Sequence, residues 1–173
     1  MRKALAVSIV ALVCAPAGQG AAATHRAGQA TLPAHGVLSP GVSLAGVRIG
    51  YTVAKVKKLW GSNYKVCPEC KSPTWYYIYT KGEPLGAAVK FKKGRVVAAF
   101  TLGSPTGWRT TEGLLMGEQI DKVSRLYGSL GWHVCIGYGA MSMRNGNTVT
   151  SIYTTGEAVY GFAITAPAEP VCQ

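Results

Sequence analysis

The chain has 173 residues, 48% of them hydrophobic, which suits one folded domain or two small halves sharing a core. Eighteen Lys and Arg against seven Asp and Glu give a formal net charge of +11, which favours acidic partners and keeps copies apart in solution. No run of five basic residues occurs and the positive side chains are spread along the chain, which excludes a basic tail as the source of the charge.

Residues 1–23 read as a signal peptide. Arg2 and Lys3 form a positive head, Ala4–Ala15 is an apolar run, and Ala21–Ala23 supplies the small residues of a cleavage site. The run is shorter than the roughly 20 apolar residues a membrane span needs, so no transmembrane segment is expected in the mature protein. Val13 is too bulky to precede a lipid-modified Cys14. With the leader removed, Cys67, Cys70, Cys135 and Cys172 remain, and four cysteines in an exported chain imply two disulfides with three possible pairings. The favoured pairing is Cys67–Cys70 with Cys135–Cys172, which places one bond in each half of the chain. Residues 24–41 are rich in Ala, Gly, His and Pro without periodicity and read as a flexible N-terminal segment.

Folding is expected from Val42. Thr52 is a plausible N-cap, and Val53, Val56, Leu59 and Trp60 fall on one helical face, with Lys55, Lys57 and Lys58 on the other and Gly61 closing the helix. Trp75–Thr80 is aromatic and β-branched and reads as a strand. Ala87–Lys92 alternates, Lys93-Gly94 turns, and Arg95–Leu102 returns as the second arm of a hairpin. A second helix is expected over Glu118–Tyr127. Strands follow at His133–Tyr138, Ala140–Arg144, Thr148–Thr155 and Val159–Thr165, with a tight turn at Asn145-Gly146.

Shifting the sequence by 67 residues lays Gly50, Val53, Val56, Leu59 and Gly61 over Gly117, Ile120, Val123, Leu126 and Gly128. A hairpin follows in both cases. The pattern predicts an α+β protein of two tandem repeats, residues 42–103 and 112–173, each a short helix followed by antiparallel strands. The helices, too short to persist alone, are expected to pack on one face of the sheet, the repeats together forming one globular unit.

Catalytic chemistry is poorly supplied. Cys67-Pro68-Glu69-Cys70 follows a helix rather than opening one, and Glu69 disfavours a thiolate, so a structural staple is favoured over a redox pair. There is no second Cys pair for zinc, and no phosphate loop, dinucleotide fingerprint or calcium loop, so no metal and no cofactor is expected. His133 is the one histidine expected inside the folded part, and the acidic residues fall in turns and helix starts, so no catalytic residues are assigned. Aromatic residues crowd the predicted strands. Trp75, Tyr77 and Tyr79 share one face of theirs, and with Trp108 they form the expected binding surface, near Lys90, Lys92, Lys93 and Arg95.

The repeated Gly-to-Gly helix unit resembles that of tandem-repeat β-lactamase inhibitor proteins and of outer-membrane-assembly lipoproteins, and of a group of secreted actinobacterial proteins. The resemblance implies short helices on an antiparallel sheet and, from the inhibitors, a sheet face studded with aromatics. It transfers no site residue. The expected function is a secreted, non-catalytic binding protein for an exported protein or an anionic envelope polymer, with nucleic acid not expected. The alternatives are an inhibitor of a secreted or envelope hydrolase and a thiol-redox protein using Cys67 and Cys70.

Overall fold

Alternation and local turn chemistry set the strands, and the strands dominate. The computed structural model describes residues 31–78 and 86–173; the expected signal peptide and Tyr79 lie outside them. In chain order the elements are β1 (Val37–Ser39), β2 (Ser43–Leu44), α1 (Val53–Trp60), β3 (Lys65–Val66), β4 (Thr74–Tyr76), β5 (Gly86–Lys92), β6 (Arg95–Leu102), β7 (Arg109–Thr110), α2 (Ile120–Tyr127), β8 (Gly131–Val134), β9 (Gly139–Asn145), β10 (Thr148–Thr155) and β11 (Ala158–Thr165). Of the described residues 43% are strand and 12% helix, so the expected α+β architecture of two helix-plus-strand repeats is corrected: the described part is mainly β, organised by one large sheet. The physical reason is length. Each helix has eight residues, little more than two turns, and cannot form a layer of its own.

The large sheet is antiparallel and runs β3-β4-β5-β6-β11-β10-β9-β8. β6 and β11 meet at its centre through Phe100↔Ala163 and Ala99↔Ile164, and β3 and β8 form the two rims. The central strands are buried on both faces, which is why Val96–Leu102 carries no charge. Their approach leaves no room for a side chain at Gly161, where a Cβ would fall 1.9 Å from the Thr101 carbonyl oxygen. The hairpin turns follow their sequences. Lys93 and Gly94 both hold positive φ, 49° and 70°, as a two-residue turn between twisted strands requires.

Each face of the sheet has its own cover. On one, Val89, Phe91, Ala99, Phe162 and Ile164 pack with Val56 and Trp60 of α1 and Val123 of α2. On the other, Ala88, Ala98, Phe100, Ala140, Tyr153 and Ala163 lie beneath the C-terminal tail, residues 166–173. The tail is held by Ala166 N–H to Val97 O at 2.8 Å, by Tyr153 Oη donating to Val171 O at 2.8 Å, and by the Cys135–Cys172 disulfide. Cys67 and Cys70 are also bonded, closing the loop between β3 and β4. The small residues opposite the tail allow an extended segment to lie close to the sheet.

A second sheet, β2-β1-β7, was not expected. β1 pairs parallel with β7 through Val37↔Arg109, a contact of high sequence separation that no local pattern announces. Part of the segment expected to be flexible, ahead of Val42, is therefore strand. Trp108 explains how it is held. Its ring is fully buried, its Nε1 donates to Pro33 O at 2.9 Å, and a Cβ on Gly36 would lie 2.4 Å from that ring.

The helix ends follow the expected chemistry in α1 and depart from it in α2. Thr52 Oγ1 accepts from Lys55 N–H at 3.3 Å, and Gly61 closes the helix at φ 83° with its N–H on Lys57 O. α2 starts at Ile120, later than Glu118. The Glu118 carboxylate instead accepts from Leu115 N–H at 2.7 Å and from Lys122 Nζ at 2.7 and 2.8 Å.

Candidate functional site

Charge is divided between the two halves of the chain. Residues 48–102 contain eleven Lys and Arg against two acidic residues, whereas residues 103–173 contain four against five. The sheet converts this division into geometry, because β3–β6 occupy one side of it and β8–β11 the other. The positive charge is therefore concentrated around α1 and β3–β6.

Within that half two elements bring cations together. α1 buries Val56 and Trp60, and helical periodicity leaves Lys55, Lys57 and Lys58 exposed. The β5–β6 turn exposes Lys92, Lys93 and Arg95. The start of α1 is tied to this hairpin by Gly50 N–H to Val96 O at 2.8 Å, Val96 N–H to Tyr51 O at 2.9 Å, and Arg95 Nη1 to Gly50 O at 3.1 Å. The helix and hairpin cations thus lie on adjoining surfaces.

Aromatic rings support the helix side of this surface. Tyr64 stacks on Trp75 with centroids 3.8 Å apart and planes 7° from parallel, and Trp75 contacts Phe91 at 4.7 Å. Lys57 Nζ sits 5.8 Å from the Tyr64 centroid and 5.6 Å from that of Trp75, and Lys55 Nζ is 5.8 Å from the Tyr51 ring. These are cation–π distances, and they keep the ammonium groups outward over a rigid base. On the opposite face of the sheet, Lys71 and Lys90 border a groove of about 260 Å³ floored by Tyr76 and Phe100. Lys90 is paired there with Glu169 at 3.4 Å.

The residues expected to form the binding surface are placed differently from one another. Trp75 is 8% exposed and contributes a ring beneath Tyr64 and Lys57. Tyr77 is half-buried against Trp60, and its Oη donates to Gly61 O at 3.3 Å. Burial, and then the neighbouring Tyr64, raise its pKa. Trp108 is in the core and meets Trp60 edge-on at 5.6 Å. Tyr79 lies outside the described residues. Lys92, Lys93 and Arg95 are on the surface as expected, whereas Lys55, Lys57 and Lys58 were read only as the outer face of a helix. A count of charge by half would have found them; a search for unbroken basic runs does not.

Other candidate groups have structural settings. Cys67–Cys70 sits in a strand-to-strand loop, with Cys67 N–H on Thr74 O at 2.9 Å, away from any helix N-terminus that would favour a thiolate. His133 Nε2 is 2.7 Å from Ser142 Oγ on the exposed surface of β8 and β9. Among the described residues no group of three or more His, Cys, Asp or Glu is arranged to hold a metal, and no helix is long and apolar enough to cross a membrane.

No family model and no curated protein matches the chain. Two solved structures share part of its shape. An extracellular protein containing a SCP domain from Bacillus anthracis aligns at 10% identity and a TM-score of 0.49, over 69% of this chain and 44% of the other. A cysteine-rich secretory protein from Staphylococcus aureus aligns at 11% identity and a TM-score of 0.46, over 76% of this chain and 50% of the other. The chain spans half or less of the length of each. These findings correct the resemblance to β-lactamase inhibitor proteins and outer-membrane-assembly lipoproteins, neither of which they return.

Proposed function

We propose that this is a secreted, non-catalytic protein that binds an anionic polymer of the cell envelope through the basic surface of its first half. The observation that carries the reading is the separation of charge across one sheet, with six exposed cations on α1 and the β5–β6 turn. A polyanion met by such a surface releases its counterions, so affinity comes from the charge pattern rather than from an enclosed pocket. The stacked Tyr64–Trp75 pair supplies a firm base for Lys57. Export is supported by the two disulfides, which persist in oxidising surroundings, and the two structures of partly similar shape are described as extracellular and secretory.

The test is retention on an anionic polyphosphate resin across a salt gradient. Replacing Lys57, Lys58 and Lys93 with Glu should abolish retention at about 0.15 M salt, where the Debye length is about 8 Å. Replacing Arg144, at the far side of the sheet, should leave elution nearly unchanged. Equal retention of the triple variant and the native protein would refute the assignment.

A further inference from the structure

We infer that β8 is a self-association strand: two copies of the chain pair antiparallel along Gly131–Val134 about a twofold axis, extending the sheet from one molecule into the next.

The two rims of the sheet are built differently. β3 has two residues, carries Lys65, and runs directly into the Cys67-Pro68 loop, all features that blunt an edge. β8 is twice as long and has neither Lys nor Pro, nor any acidic residue. Its apolar side chains are left in water: Trp132 is 56% exposed, Val134 84%, and Ile136, at the tip of the following turn, 99%.

Among the described residues, the backbone of β8 is also free on that side. Cys135 N–H bonds to Tyr138 O, so Cys135 and Tyr138 form a hydrogen-bonded pair of the β8–β9 ladder. Hydrogen-bonded and non-bonded pairs alternate along an antiparallel ladder. With Val134 opposite Gly139, His133 opposite Ala140 and Trp132 opposite Met141, it is His133 that bonds to β9. The N–H and C=O groups of Trp132 and Val134 therefore point away from the sheet. Cys172 Sγ is 3.7 Å from Val134 O, and a disulfide sulfur has no proton to donate, so that acceptor receives no hydrogen bond from it.

The pattern complements itself. A twofold axis at His133 sets Trp132 opposite the second copy's Val134, and Val134 opposite the second copy's Trp132. Each pair exchanges two backbone hydrogen bonds and joins an aromatic to a β-branched side chain, a favourable cross-strand combination. A closed, isologous contact results, so association stops at two.

Charge permits this contact despite the net +11. The basic half lies at the other side of the sheet, and strands spaced by about 4.8 Å put the two rims of an eight-stranded sheet roughly 34 Å apart. That is several Debye lengths at physiological salt. The exposed surface of Trp132, Val134 and Ile136 is on the order of 400 Å² per copy, so the dimer removes at most about 800 Å², short of the 1,200–2,000 Å² typical of stable complexes. A reversible dimer of micromolar or weaker affinity is the expected form.

Sedimentation equilibrium from about 1 μM to 1 mM tests this, a range chosen to bracket that affinity. The native protein's average mass should rise from one chain toward two. Val134→Pro removes an outward N–H and no bond of the protein's own ladder, so it should fold and stay single throughout; Val134→Lys, which keeps the backbone donor, should also stay single. His133→Cys should form a covalent dimer on oxidation, because facing residues of a non-bonded pair are close enough for a disulfide. A native mass of one chain at 1 mM overturns the inference, as does a dimer that Val134→Lys leaves intact. A chain that never self-associates, yet binds an added extended Val-rich peptide along β8, also overturns it and makes β8 a receptor for a foreign strand.

Discussion

Removing the Cys135–Cys172 bond tests how the tail face of the sheet is maintained. The two cysteines are 37 residues apart in sequence, and a loop of that length restricts the unfolded chain by about 4 kcal/mol. Cys67 and Cys70 are three apart, and the same relation gives about 2 kcal/mol. In the folded state the tail keeps other anchors: Tyr138 Oη donates to Gln173 O at 2.8 Å, Tyr153 Oη to Val171 O at 2.8 Å, and Lys90 pairs with Glu169 at 3.4 Å. Each net hydrogen bond contributes about 1 kcal/mol, enough together to hold the tail in place without the disulfide. The loss in Cys135→Ser/Cys172→Ser should therefore appear as a global one, about twice that in Cys67→Ser/Cys70→Ser. Urea unfolding followed by tryptophan fluorescence measures both: the midpoint should drop, and the slope should rise more in Cys135→Ser/Cys172→Ser, whose unfolded chain expands once the long loop is opened. A short-loop variant that loses as much as the long-loop one would refute the loop-length reasoning, and so would an unchanged midpoint after removal of Cys135–Cys172.

Gly161→Ala should lower stability by more than about 2 kcal/mol, because its Cβ would fall 1.9 Å from Thr101 O between the two central strands; thermal unfolding reports it, and a change below 0.5 kcal/mol would contradict the close approach. Trp108→Phe keeps a buried ring but removes the donor to Pro33 O, so it should cost about 1–2 kcal/mol and speed proteolysis near residues 33–36. Stability should also fall in acid. Burial raises the Glu112 pKa, but hydrogen bonds from Tyr127 and Thr111 outweigh it and lower the net value, while Lys122 and the Leu115 N–H lower that of Glu118. Both carboxylates thus stabilise the fold above the ordinary value of 4.5, and that contribution is lost as pH falls through their lowered native values. Replacing both with Gln should flatten the melting temperature against pH below 4.5; an unchanged acid slope would show that other groups govern it.

Most elements of the large sheet were legible because their signals are local. Apolar alternation in Ala87–Lys92 and the Lys93-Gly94 and Asn145-Gly146 turns require no knowledge of the rest of the chain. The helix of Val53–Trp60 is likewise written in its spacing and its closing glycine. The smaller sheet was illegible because Val37 meets Arg109 across 72 residues. Aromatic residues misled for a related reason. Trp75, Tyr77 and Trp108 have the same composition signal whether they line a binding face or a core, and only the packing of α1 and the segment 33–36 assigns them. The basic surface lay between these cases: its charge was countable by half, but which cations adjoin was not.

By itself, then, the sequence determined the short helices, the hairpins of the sheet, the four cysteines and the surplus of positive charge, all properties of neighbours along the chain. Tertiary structure alone decided that strands outweigh helices, that the tail covers one sheet face, that charge is gathered on one side, and that β8 is the last strand on the other side among the described residues. Those outcomes depend on which distant strands meet, and pairing energy is shared between residues that no short window contains together.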